Sequence, residues 1–228
     1  MSGGIPIMLG YLSVSFGFGI KAVAAGMSPA EASLTSLTNV TSAGQAAGVE
    51  IIQAGGTLLE MALVQLIINI RYSLMALTLS QKLGQGFTLP HRMLASFGIT
   101  DEIFAMCAAR KKPLTPAYMY GMILVAVFGW VLGTALGAVA GQLLPASLSS
   151  AMGLLLYGMF LAIIIPPARK ERSVLCVIII AALLSLICKY LLTFISGGFA
   201  VIICSIAAAA LGAAVFPVSD STDEEAAE

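Results

Sequence analysis

Seven stretches of this chain, each 18 to 28 residues long, carry hardly a charged side chain: 5–25, 30–48, 57–80, 117–144, 148–165, 174–195 and 199–216. About 20 residues rising 1.5 Å each cross the hydrocarbon of a bilayer, and a helix satisfies every backbone N–H and C=O internally on the way. The pattern therefore predicts an all-α, polytopic membrane bundle. Only 10% of the 228 residues are charged and 59% are apolar, against about 25% and 45–50% in soluble domains. That leaves too little polar surface to cover a water-soluble globule. The breaks between stretches fall at Ser28-Pro29, Gly55-Gly56, Pro145, Pro166-Pro167 and Gly197-Gly198, residues that interrupt helices.

Several function classes drop out on composition. Eleven basic and 11 acidic residues form no basic stripe for nucleic acid. The cysteines at 107, 176, 188 and 204 have no CxxC spacing, and one histidine supplies no zinc or haem site. There is no GxxxxGK[ST], HExxH or GxSxG pattern, so neither an enzyme nor a cofactor is expected. No internal repeat is evident along the chain.

Orientation follows the basic residues. Lys82, Arg92, Arg110, Lys111 and Lys112 crowd one connection, and Arg169, Lys170 and Arg172 another; both belong in the cytoplasm. Residues 1–218 read as one transmembrane domain and 219–228 as an acidic cytoplasmic tail. About seven crossings result, with the N-terminus outside, if the broken apolar segment 90–109 enters and leaves on one side. The alternative is six, with the N-terminus inside, if 30–48 does not cross. Lys21, Glu60 and Lys189 lie near segment ends, where a long side chain can snorkel to water. Gly129, Gly133, Gly137 and Gly141 repeat every four residues, a face for close helix contact.

Polar residues inside the apolar stretches are costly and so mark function. Asn69 and Arg71 sit within 57–80, with Arg71 nine residues before Ser80, roughly 13 Å deep at 1.5 Å per residue. Segment 90–109 can form a re-entrant helical hairpin: Pro90 starts one short helix, Gly98 permits reversal, and Thr100 caps a second with Asp101 and Glu102 in its first turn. Each arm of about nine residues also reaches roughly 13 Å, so either acid can meet Arg71. The alternative is a segment lying flat on the membrane surface. In 30–48, Thr35, Thr38, Ser42 and Gln45 share a helical face with Asn39 beside it, a polar stripe suited to a water-filled pathway.

Taken in order, three motifs resemble the AzlC family of branched-chain amino acid exporters. Ser42-Ala43-Gly44-Gln45 is similar to its small-small-Gly-Gln element, Asn69-Ile70-Arg71-Tyr72-Ser73-Leu74 to its Asn-Leu-Arg-His-x-Leu signature, and Thr100-Asp101-Glu102-Ile103-Phe104-Ala105 to its Thr-Asp-Glu-x-Phe/Tyr-Ala motif. Tyr72 replaces the usual histidine, and Ala46 the aromatic residue that often follows the glutamine. The resemblance implies export of valine, leucine and isoleucine across a bacterial inner membrane, with a small membrane subunit of the AzlD type. On this reading Arg71 and the amides near Thr100 receive a substrate carboxylate, and Glu102 or Asp101 takes the ammonium or a coupling proton. Asn69, Gln45 and Ser42 complete a polar wall. The rival reading is a scaffold or channel-like subunit whose small partner forms the pathway.

Overall fold

The computed structural model describes residues 4–143 and 164–217, with 145, 147, 158 and 160–162 between them. The candidate span at 148–165 lies mostly outside these residues, and the acidic tail entirely so. The chain divides into two compact units, 1–160 and 161–228.

The first unit contains α1 (Gly4–Ala24), α2 (Pro29–Thr38), α3 (Ser42–Gln53), α4 (Leu58–Ser80), α5 (Leu89–Phe97), α6 (Asp101–Ala108) and α7 (Pro116–Leu143). The second contains α8 (Arg172–Tyr190) and α9 (Gly197–Val215). Among the described residues, α1, α4, α7, α8 and α9 are long and apolar enough to cross a membrane.

The glycine face of α7 decides the direction of α1. A Cβ on Gly133 would stand 2.4 Å from the Leu12 carbonyl oxygen, and one on Gly137 2.0 Å from that of Phe16. Gly129 meets Met8 and Gly141 meets Ile20 in the same way. Partners on both helices advance together in steps of four, so α1 and α7 run parallel at backbone contact. Dispersion between close backbones supplies the attraction that water-driven burial cannot give in lipid.

Segment 30–48, expected as one crossing, is two helices. Ser28 and Glu31 form a reciprocal cap on α2, Pro29 opens it, and the chain leaves helical geometry at Asn39 before Thr41 starts α3. The extended backbone at Asn39 and Thr41 ends the helix, and α3 then turns back. Near its end Glu50 meets Lys21 of α1 at 2.6 Å, so the pair returns to where it began. The expected polar stripe is consequently absent as one face. The Thr35 and Thr38 hydroxyls donate to Glu31 and Leu34 carbonyls one turn back, while Ser36 and Gln45 turn inward. Lys21 forms an ion pair rather than snorkelling alone, and Glu60 is 4% exposed in the first turn of α4.

α5 and α6 form a second helical hairpin. Its ends are pinned together: Leu83 and Leu114 make an isolated parallel bridge, with Gly84 N–H donating to Leu114 O at 2.9 Å and Leu114 N–H to Lys82 O at 3.0 Å. Gly98 serves differently from expectation. Its φ of −99° suits any residue; a Cβ there would lie 2.3 Å from Ile123 Cγ2. Glycine is needed because the hairpin tip presses on α7, not because the chain reverses.

In the second unit α8 and α9 pack antiparallel, with Val177 against Gly212 and Cys188 Sγ 3.6 Å from Cys204 Sγ.

Candidate functional site

Two side-chain hydrogen-bond networks stand out among the described residues of the first unit. One gathers around Arg71. Its Nη1 lies 2.9 Å from Asp101 Oδ2, with side chains 39% and 27% exposed. Its Nη2 donates to the Tyr72 hydroxyl at 3.3 Å, and Tyr72 donates to Thr41 Oγ1 at 3.5 Å. Thr41 donates to Asn69 Oδ1 at 2.8 Å, Asn69 Nδ2 to Gln65 Oε1 at 3.1 Å, and Gln65 Nε2 to the Gly44 carbonyl at 2.7 Å. Every link points the same way, from the cation on α4 to the start of α3, so each group both donates and accepts. Gly44 permits this contact, since a Cβ there would stand 2.5 Å from Gln65 Oε1.

Across the tip of the second hairpin, Tyr11 of α1 bonds both Thr100 Oγ1, at 2.6 Å, and Glu102 Oε2. A phenol has one proton to give. The balanced arrangement has Thr100 donating to Tyr11 and Tyr11 donating to the Glu102 carboxylate, the stronger acceptor. Thr100 meanwhile accepts from Ile103 N–H and caps α6. The two acids thus divide: Asp101 takes the guanidinium of α4, Glu102 the hydroxyl of α1.

The second system is closed on itself. Trp130 Nε1 donates to Gln45 Oε1 at 2.8 Å, and Gln45 Nε2 to Ser36 Oγ at 2.9 Å. Ser36 and Thr134 hydroxyls are 2.7 Å apart, and Thr134 donates to the Trp130 carbonyl at 3.0 Å. All four residues are 2% exposed or less. Trp130→Phe removes the donor to Gln45 and is expected to cost about 1–3 kcal/mol, read as a thermal-unfolding midpoint several degrees lower in detergent.

Of the seven site residues expected from the sequence, Arg71, Thr100, Asp101 and Glu102 come together around the tip of α6, and Asn69 meets Thr41 at the tip of α3. Gln45 faces α7 in the separate buried ring, and Ser42 opens α3, half-buried beside Thr41. Sequence reasoning missed Tyr11, Thr41 and Gln65. Gln65, Asn69 and Tyr72 are spaced by four and three, a stripe that would have identified one of them.

Five lipid-length helices among the described residues, three of them in the first unit with its polar centre made from helix breaks, define a polytopic α-helical membrane protein. The family model described as AzlC protein matches residues 6–144, and the chain belongs to that family. It is 29% identical over 181 residues to the inner membrane protein YgaZ of Escherichia coli (strain K12), covering 76% of this chain and 73% of that protein. It is 32% identical over 169 residues to a membrane protein of Archaeoglobus fulgidus described as uncharacterised, covering 73% and 74%. No solved structure matches the chain.

Proposed function

We propose that this chain is the large subunit of a secondary transporter that exports small hydrophobic, branched-chain amino acids from a bacterial cytoplasm, working with a small AzlD-type subunit. One observation carries the reading: the starts of two short helices meet at Arg71 in the middle of a lipid-length helix, α6 directly through Asp101 and α3 through Thr41 and the Tyr72 hydroxyl. Broken helices facing each other leave backbone amides and carbonyls free at mid-depth, where transporters bind substrate.

The membrane placement that goes with this reading has six crossings. Both hairpins are re-entrant, α5–α6 from the basic face and α2–α3 from the opposite one. Parallel α1 and α7, with α4 ending beside the start of α7, support an N-terminus on the basic side, which the positive-inside rule reads as cytoplasmic. In this proposal the candidate span at 148–165 is a crossing and the C-terminal tail lies on that side too. The depth of Arg71, roughly 13 Å from the end of α4 at 1.5 Å per residue, matches the reach of α6 and supports the re-entrant placement over a flat one.

In this mechanism a substrate carboxylate takes a bidentate contact from Arg71, assisted by the amides that follow Thr100. Asp101 or Glu102 holds the ammonium, and Asn69 with its neighbours supplies a polar wall. A pocket of about 280 Å³ has a mostly apolar lining that includes Leu79, Phe87, Ala95, Ile99 and Met119, with Arg92 and Ser96 beside them; Ile99 immediately precedes Thr100 in the chain. Its apolar lining fits a branched aliphatic side chain. Glu102 is the proposed proton carrier, since Tyr11 can follow its change of charge by turning its one proton.

Proteoliposomes holding this chain and its small partner, loaded with labelled leucine, test the reading. Efflux should rise several-fold when the trans side is acidified, and Glu102→Gln should lose that response. Absence of leucine, valine or isoleucine efflux from the parent overturns the function. An unchanged pH response in the variant rejects Glu102 alone.

A further inference from the structure

The two hairpins share more than a shape. Tyr11 and Tyr72, Lys21 and Lys82, and Pro29 and Pro90 are each separated by 61 residues; Thr41 and Thr100 are separated by 59. Each member of a pair does the same work in the structure. The tyrosines stand near the middle of long helices α1 and α4. The lysines stand ten residues further on, and each ties its helix to the end of the returning arm, Lys21 to Glu50 of α3 and Lys82 Nζ to the Ala108 carbonyl of α6. The prolines open the first arms α2 and α5, and the threonines sit at the tips as the residues before α3 and α6. Phe18 and Leu79, also 61 apart, are both fully buried.

The directions are opposite. α3 runs beside α1 in the same sense, ending with it, and α6 runs beside α4 likewise, from Arg71–Asp101 to Lys82–Ala108. α3 and α4 are antiparallel, with Gly48 near Met61, Gly44 near Gln65 and Thr41 near Asn69. The two three-helix groups, α1–α3 and α4–α6, therefore run in opposite senses.

The tyrosines cross between the groups. Tyr11 of the first group holds the tip of the second at Thr100, and Tyr72 of the second holds the tip of the first at Thr41. The two bonds are unequal: 2.6 Å and buried for Tyr11, 3.5 Å and half-buried for Tyr72. We infer that α1–α3 and α4–α6 form an inverted repeat in which Tyr11 and Tyr72 are exchanged latches, each closing the hairpin of the other repeat. With both engaged each tip is held by the other repeat. Releasing Tyr11 frees the tip of α5–α6, and releasing Tyr72 frees that of α2–α3. The repeat stands without any substrate; the use of its latches as alternate gates rests on the transport reading.

The test needs no substrate. The full chain with its four cysteines replaced carries one new cysteine, at Ala43 beside the first tip or at Ala105 one turn beyond the second. Oriented vesicles are treated with an impermeant thiol reagent from either side. Tyr11→Phe should raise modification at position 105 from the basic-loop face at least threefold and leave or lower that at 43. Tyr72→Phe should do the reverse from the other face, and Thr41→Ala, which removes the acceptor of the second latch, should copy it. If both phenylalanine variants raise both probes together, the tyrosines are common packing and the exchange is overturned, as it is if neither probe responds. Opposite responses without leucine efflux would uphold the latches and reject only the export reading.

Discussion

Asp101→Asn strands the Arg71 guanidinium and is expected to lower the yield of folded, monodisperse protein severalfold, whereas Arg71→Gln with Asp101→Asn recovers most of it. The pair closes at 2.9 Å between α4 and the first turn of α6. A lone arginine in mid-helix costs about 2.5–3.5 kcal/mol on insertion scales, and breaking a buried pair costs about 3–5 kcal/mol. The two side chains keep 39% and 27% of their exposure, which lets water or neighbouring dipoles recover part of that and brings the loss nearer to about 2 kcal/mol. Removing both charges leaves no uncompensated ion, hence the recovery. Fluorescence-detected size exclusion after a heating step reads the three proteins side by side; equal survival of parent and Asp101→Asn would show that the pair holds nothing. Transport separates the roles further, because the double variant should fold and still fail to export leucine. Export at the parent rate would remove Arg71 from the proposed carboxylate site.

The second large effect is steric. Gly137→Val is expected to prevent close docking of α1 on α7 and to cost more than about 3 kcal/mol, above the usual ~1–3 kcal/mol for overpacking, since the obstacle is backbone. Even the Cβ would lie 2.0 Å from the Phe16 carbonyl oxygen and 2.7 Å from its carbon, so the helices must part along their length. Parting them also loosens Tyr11, whose ring meets Trp130 edge-on at 5.2 Å. Gly10→Ala is the control: it lies on the same helix as Tyr11, and its Cβ would meet nothing within 4 Å. Thermal unfolding in detergent should show a drop of many degrees for Gly137→Val and almost none for Gly10→Ala. A similar small shift in both would mean that the glycine face does not set the spacing.

Much of the site was readable in advance because each clue was local. A charge in an apolar stretch, a threonine followed by two acids, and a depth counted at 1.5 Å per residue needed no knowledge of neighbours, and they brought Arg71 to Asp101. The division of labour between Asp101 and Glu102 was not readable, because it depends on Tyr11, 90 residues away in the chain and unremarkable as an aromatic residue in an apolar helix. The partners of Gln45 were unreadable for a related reason. A polar stripe drawn on one continuous helix cannot foresee that the helix breaks at Asn39 and turns Gln45 toward Trp130.

The lipid-length helices are a property of the sequence alone, because hydrocarbon thickness acts on each segment separately and demands only apolar length. The spacing of glycines on α7 likewise announced a close helix contact. Which helix would come, and in which direction, was settled only by tertiary packing: backbone complementarity between Met8–Ile20 and Gly129–Gly141 exists in one register and one sense. That choice sets α1 parallel to α7, makes α2–α3 a hairpin, and brings the two tips together. Pairings between segments depend on surfaces that form only once the helices have formed, and four residue pairs at nearly constant separation became a repeat only when the folded chain gave them matching roles.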